Sequence, residues 1–208
     1  MKKALIVWGG WDGHQPQQVA DLFADVLRKE QFEVIVSDTL ETFADEELVK
    51  SLDLIVPVWT MGKIEKNQLD PVLRAVEAGC GIAGCHGGMG DSFRNEVEFQ
   101  HMVGGQWVAH PGNDGVNYMV NMTIPGDPLT EGIGDFEVCS EQYYMHVDPA
   151  IKVHATTDFG AVKMPVVWTK NWGEGNVYYC SLGHQADIVA MPQTLELMRR
   201  GFLWAARG

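Results

Sequence analysis

Positive charge, paired cysteines and long apolar runs are all scarce in this sequence, and each shortage removes a class of function. Lysine and arginine number 15 against 28 aspartates and glutamates, a net charge of −13. Nucleic-acid binding needs a basic footprint that displaces counterions, so it is not expected. The same sign argues against an anionic membrane surface and against a strongly anionic substrate; a neutral ligand, or a cation held by protein acids, fits the balance. The four cysteines, Cys80, Cys85, Cys139 and Cys180, form no Cys-x-x-Cys pair, which removes the usual zinc-knuckle and redox motifs. Each lies in an apolar, strand-like context where free cysteine behaves as a small hydrophobe, as expected of a reduced, cytoplasmic chain. After Met1-Lys2-Lys3 the apolar run Ala4–Trp8 is too short for a secretory leader, and no run approaches membrane-spanning length. Linkers, internal repeats and low-complexity tracts are missing as well. The 208 residues therefore read as one α/β domain, 1–208, long enough to bury a full core.

What is present is an alternation of two periods. Ala4–Trp8 is a continuous apolar strand, and Val19, Leu22, Phe23, Val26 and Leu27 recur at the helical period. Phe32–Val36 and Leu52–Trp59 are the next strands, with Pro57 allowed only near an end or in a bulge. Leu69, Val72, Leu73 and Val76 form a second helical stripe ahead of the strand Gly79–Gly84. This order predicts βαβ units and a mostly parallel sheet covered on both faces. The second half offers shorter strands at Tyr118–Ile124, Phe136–Ser140, Ile151–Thr156, Pro165–Thr169 and Val177–Leu182, separated by turn-rich segments. These are expected to add antiparallel strands at the sheet edge or to form a flap. Leu195, Met198, Phe202 and Ala206 make a closing helix.

The segment Gly81-Ile82-Ala83-Gly84-Cys85-His86-Gly87-Gly88 runs from an apolar strand into a glycine-rich turn, the outline of a nucleophile elbow. With Gly84 and Gly88 as the frame, the raised residue is His86, an imidazole suited to metal ligation or proton transfer. Ligands of open α/β sheets bind beyond the carboxyl ends of the strands. Three such ends deliver a histidine beside a glycine, in Gly13-His14, His86-Gly87 and Gly183-His184. Neutral imidazoles hold zinc, manganese, nickel or iron, commonly with a carboxylate and an open position, so His14, His86 and His184 are the expected ligands of a divalent metal. Glu141, beside Gln142-Tyr143-Tyr144, is the expected acid. Asp12 and Asp91 are its rivals, although Asp91-Ser92 reads first as a helix N-cap. His110 lies in a loop able to fold over the site and joins His86 and Glu141 as a catalytic candidate. His146 is a candidate supporting group, whereas His101 and His154 read as surface or packing residues. No Gly-Lys-Ser/Thr phosphate loop, dinucleotide fingerprint or His-Glu-x-x-His pair occurs, so any metal site must be assembled from distant segments.

Six of the seven tryptophans, Trp8, Trp11, Trp59, Trp107, Trp168 and Trp172, fall mostly at strand ends or in loops. Most such residues cap a core; several around one cleft offer flat faces to the C–H groups of a sugar. Trp11, Trp59 and Tyr143, with Gly87 and Gly88, are the expected substrate-binding residues. The order of Gly9-Gly10 through His14, His86-Gly87-Gly88 with Asp91-Ser92-Phe93, Gly104-Gly105 to His110-Pro111, Glu141-Gln142-Tyr143, and Gly175 through His184 resembles the ThuA family of trehalose-utilisation proteins. The resemblance spans nearly the whole chain. It implies a flavodoxin-like three-layer α/β/α sandwich of the class I glutamine amidotransferase type, without the amidotransferase cysteine at the elbow. It further implies that His14, His86, His110, His184 and Glu141 share the pocket, and that the function lies in bacterial catabolism of trehalose or its 3-keto derivatives.

Three readings follow. The first is a cytoplasmic, metal-assisted enzyme acting on a disaccharide or oxidised sugar by isomerisation, elimination or hydrolysis. The second retains amidotransferase-type hydrolysis with Cys85 as nucleophile, although Cys85 stands one residue before the elbow centre and points into the sheet. The third is a sugar-binding or partner-docking module without catalysis. The aromatic-rich loop region offers a face through which a homo-oligomer could form.

Overall fold

The computed structural model describes residues 1–208. The alternation of the first half becomes β1 (Lys3–Gly10), α1 (Pro16–Lys29), β2 (Glu33–Ser37), α2 (Glu46–Lys50), β3 (Leu54–Thr60), α3 (Lys66–Glu77) and β4 (Gly81–Cys85). Then come α4 (Gly87–Gly90), α5 (Val97–Val103), β5 (Gly105–Ala109), β6 (Val116–Met122), β7 (Phe136–Ser140), β8 (Tyr144–Val147) and β9 (Lys152–Phe159). The chain ends with β10 (Val162–Trp172), β11 (Gly175–Cys180), α6 (Ala186–Val189) and α7 (Pro192–Ala205). Proline opens both long helices α1 and α7, where its missing N–H costs nothing and its fixed φ suits the first turn.

Nine strands form one sheet in the order β2-β1-β3-β4-β11-β10-β9-β6-β7. The first five are parallel and the remaining pairs antiparallel. The strand expected at Val177–Leu182 is therefore not an edge addition: as β11 it pairs in parallel with β4 in the middle of the sheet. Two short strands with no sequence forecast, β5 and β8, pair with each other as a separate ribbon.

Period-two alternation sends each parallel strand's side chains to two cores. From β1, Ala4 and Ile6 meet α1 and α7, where Phe23 and Phe202 stack edge to face at 5.0 Å. Leu5 and Val7 face the opposite core with Leu69, Val72 and Val76 of α3 and Phe99 of α5. Removing a ring such as that of Phe202 would cost about 3–5 kcal/mol.

Pro57 corrects a simpler expectation, because it lies inside β3 rather than at an end. It pairs with Val7 of β1, while the β3–β4 ladder stops at Ile55 opposite Ile82. Proline has no N–H to continue a ladder, so the strands part just before the elbow. Asp91 is likewise not the N-cap of α5, whose cap is Glu96; Asp91 ends α4 and its carboxylate takes Arg94. Cys80, Cys85 and Cys180 are buried and unpaired, whereas Cys139 is exposed on the outward face of β7. No helix is long and apolar enough to cross a membrane.

Candidate metal centre

The carboxyl ends of β1, β4 and β11 lie along one rim, and each passes a histidine inward. His86 follows β4 with φ 48° and ψ −140°, a region that costs a non-glycine residue about 1–3 kcal/mol and persists only where the surroundings dictate it. Here they do: the His86 N–H donates to the Cys180 carbonyl at 2.7 Å, and its own carbonyl accepts from the Tyr179 hydroxyl at 2.9 Å and the Gly90 N–H at 2.8 Å. The glycine after it makes room for a neighbour, since a Cβ on Gly87 would stand 2.6 Å from Cε1 of His14. His14 ends a short turn after β1, and His184 follows β11 by four residues.

These imidazoles converge on Glu141, which lies between β7 and β8 with its carbonyl held by the Tyr118 hydroxyl at 3.0 Å. From Oε2, His86 Nε2 is 3.1 Å away, His184 Nδ1 3.2 Å and His14 Nε2 4.0 Å. His110 Nδ1 approaches the other oxygen, Oε1, at 3.6 Å. The ligand atoms of His14, His86, Glu141 and His184 all lie within 4.8 Å of one another, and all four residues are buried.

Protonation follows from the partners. His86 Nδ1 donates to the Ser181 carbonyl at 2.8 Å, and burial holds the ring below the usual imidazole range despite its partners, so the ring is neutral with its lone pair on Nε2. That lone pair faces a carboxylate. Burial pushes Glu141 up, but the imidazoles of His184 and His86 beside it hold it well below the usual carboxylate range. His14, whose Nδ1 shares a hydrogen bond with Thr60 Oγ1 at 2.7 Å, is pushed down to about 3, by burial first and then by His86 and His184. His184 is held above its usual value by Glu141 against the effect of burial. Yet its Nδ1 lies outside hydrogen-bond geometry and, like Nδ1 of His110, is buried without a partner. Electron-pair donors thus point at a common centre with too few protons between them, the arrangement a cation completes. In a tetrahedral zinc site with bonds near 2.1 Å, ligand atoms are about 3.4 Å apart, and the separations around Oε2 bracket that value.

The cluster opens into a cavity of about 160 Å³ lined by Trp11, His14, Thr60, Met61, Asp91, Arg94, Trp107, His110, Glu141 and Tyr143. Tyr143 stacks on His86 with centroids 3.9 Å apart, and Trp11 meets His14 edge-on at 4.7 Å. The structure therefore brings His14, His86, His110, His184, Glu141, Trp11 and Tyr143 to one place. It does not bring Trp59, Gly87 or Gly88 to the cavity wall. Trp59 lies against Gly9 and Gly62, and the two elbow glycines serve close packing, Gly87 against His14 and Gly88 against the Val58 backbone. Asp12 stands in an exposed turn and His146 is exposed on β8, and neither belongs to the cluster. Cys85 is buried within β4, and burial pushes its thiol well up, which leaves no thiolate for nucleophilic attack. Sequence reading missed Tyr118 and the Ser181 carbonyl, which position the cluster, and Arg94, which forks onto Asp91 at 2.6 and 2.8 Å. Only the spacing of Asp91 and Arg94, three residues apart after the elbow, could have signalled the last.

Fold and site together define an α/β protein with a buried three-histidine, one-carboxylate cluster at the carboxyl rim of its sheet, capable of binding a metal. A family model described as ThuA, trehalose utilisation, matches residues 3–205, and the chain belongs to that family. Among solved structures, a ThuA-like protein from Bacteroides uniformis is 17% identical, with a TM-score of 0.81 over 98% of this chain and 90% of that one. A ThuA-like protein from Parabacteroides merdae is 16% identical, with a TM-score of 0.79 over 98% and 89%. A protein described as cytoplasmic, from Salmonella typhimurium, is 13% identical, with a TM-score of 0.69 over the full length of both chains. No curated protein sequence matches the chain.

Proposed function

We propose that this protein is a cytoplasmic, metal-dependent enzyme of sugar catabolism, built on a flavodoxin-like, class I glutamine amidotransferase-type fold whose elbow carries His86 in place of a nucleophile. One observation carries the reading: His86 Nε2 lies 3.1 Å from Glu141 Oε2, with His14 and His184 converging on the same oxygen. A divalent ion, if held by His14, His86, His184 and Glu141, would supply Lewis acidity toward a carbonyl or hydroxyl oxygen of a bound sugar.

The remaining roles belong to the chain's own residues. His110, on the far oxygen of Glu141 and reaching the cavity, moves the proton. Trp11, 47% exposed at the mouth, presents a flat face to sugar C–H groups. Ser181 and Thr60 fix the orientation of two imidazoles from behind. The net charge of −13 favours a neutral substrate, in keeping with a family described by trehalose utilisation. Isomerisation, elimination and hydrolysis of a disaccharide or 3-keto sugar all use these parts.

Elemental analysis of the purified protein, paired with turnover of trehalose and its 3-keto derivative before and after EDTA, tests the reading. Stoichiometric metal and chelator-sensitive turnover are expected. Metal-free protein whose turnover ignores EDTA overturns the metal role, and saturable sugar binding with no product by mass spectrometry makes the protein a binder.

A further inference from the structure

A second cavity, of about 190 Å³, lies beside the first and is lined by Gly90, Asp91, Ser92, Arg94, Gln100, Gln106 and Trp107. Asp91, Arg94 and Trp107 line both cavities, so the two share one wall. That wall is fixed from two sides. The Arg94 guanidinium is gripped by Asp91 through Nε and Nη2, and it lies over the Trp107 ring at 4.8 Å. Both cavities are comparable in size with one six-membered sugar ring.

We propose that this second cavity is a subsite for the other ring of a neutral disaccharide whose reacting ring lies against the histidine cluster. The inference rests on the sugar reading above and narrows it to a two-ring ligand. The lining chemistry is that of hydroxyl recognition. The bidentate Arg94–Asp91 pair is electrically neutral as a unit, so the wall offers directed donors without selecting an anion. Gln100 gives its amide hydrogen to the Arg94 carbonyl at 2.7 Å, which leaves Oε1 as an acceptor. Gln106, half-buried on β5, contributes a second amide of both polarities. Polar side chains from α5 and β5 thus meet across a gap that the two elements leave between them.

Calorimetric titration of zinc-supplied protein with trehalose and with glucose tests the subsite. Trehalose is expected to bind about tenfold more tightly than glucose, the gain of one well-bonded additional ring. Gln106 lines only the second cavity. Gln106→Ala, which removes an amide, and Gln106→Trp, which fills the space, should each bring the ratio of the two affinities toward one, with circular dichroism confirming the fold. Equal binding of both sugars by the unmodified protein, or a preference for trehalose that neither variant moves, overturns the subsite while leaving the sugar reading intact. Binding of neither sugar overturns the subsite, and if the 3-keto derivative is neither bound nor turned over the sugar reading falls with it.

Discussion

Two buried histidines in this fold each face a carboxylate: His154 faces Asp127, and His86 faces Glu141. In the first group Nδ1 is hydrogen-bonded to Asp127 and Nε2 shares a hydrogen bond with the Thr169 hydroxyl at 2.8 Å. Both ring nitrogens are occupied, no cavity described above reaches the ring, and the group ties the segment after β6 to β9 and β10. In the second group Nδ1 of His86 and of His14 are committed, three other nitrogens crowd a single carboxylate oxygen, and Nδ1 of both His184 and His110 is left without a hydrogen bond. The residue types are nearly the same. Hydrogen-bond completeness separates a fastener from a site, because an unfilled buried polar atom is expensive unless something else fills it.

Substitutions can break or sharpen this contrast. The largest effect is expected from Glu141→Gln and His86→Ala, which should lose metal on dialysis, by elemental analysis, and with it all measurable turnover. Retention of full metal content by both variants would break the contrast outright. His110→Ala should lower turnover about 10²–10⁴-fold while metal content stays constant, separating proton transfer from ligation. His154→Ala should do the reverse. It leaves Asp127 buried without its partner, so urea unfolding should show a loss of about 3 kcal/mol with metal content unchanged. Thr60→Val should weaken metal binding about 10–100-fold, the usual consequence of removing an outer hydrogen bond to a ligating imidazole, as read by competition with a chromogenic chelator. The smallest effect lies far from both groups. Glu196 is held down to about 2, chiefly by its hydrogen bond from Arg199 and against the opposing effect of burial. A depressed carboxyl stabilises the fold above its unfolded pKa and loses that contribution as pH falls through the folded value. Glu196→Gln should therefore flatten the acid side of the stability curve between about pH 4.5 and 2, with little change near neutrality.

The three strand-end histidines were legible because a parallel sheet has one functional rim, and glycine beside each histidine marked where chain approaches chain. The helical stripes of α1 and α3 were legible from their period. The ribbon of β5 and β8 was not: its strands are short and partly exposed, with no clean alternation. It nevertheless carries Trp107, and its flanking residues include His110, Glu141 and Tyr143. Trp59 misled because a tryptophan at a strand end looks the same whether it covers a core or a cleft. The mutual distances of the cluster depend on Tyr118 and on a backbone carbonyl at Ser181, and a main-chain oxygen leaves no mark in residue identity.

Pro57 acts as a stop on a zipper. Below it the third and fourth strands are laced together; above it the lacing ends at Ile55 and Ile82, and the slit so formed is where the strained His86 turn begins. One imino acid in mid-strand thus sets how far apart two neighbouring threads of the fabric stand. Alanine in its place would restore a donor to the seam and tend to draw the slit shut, so the geometry of the histidine nest is governed partly by a residue that never touches it.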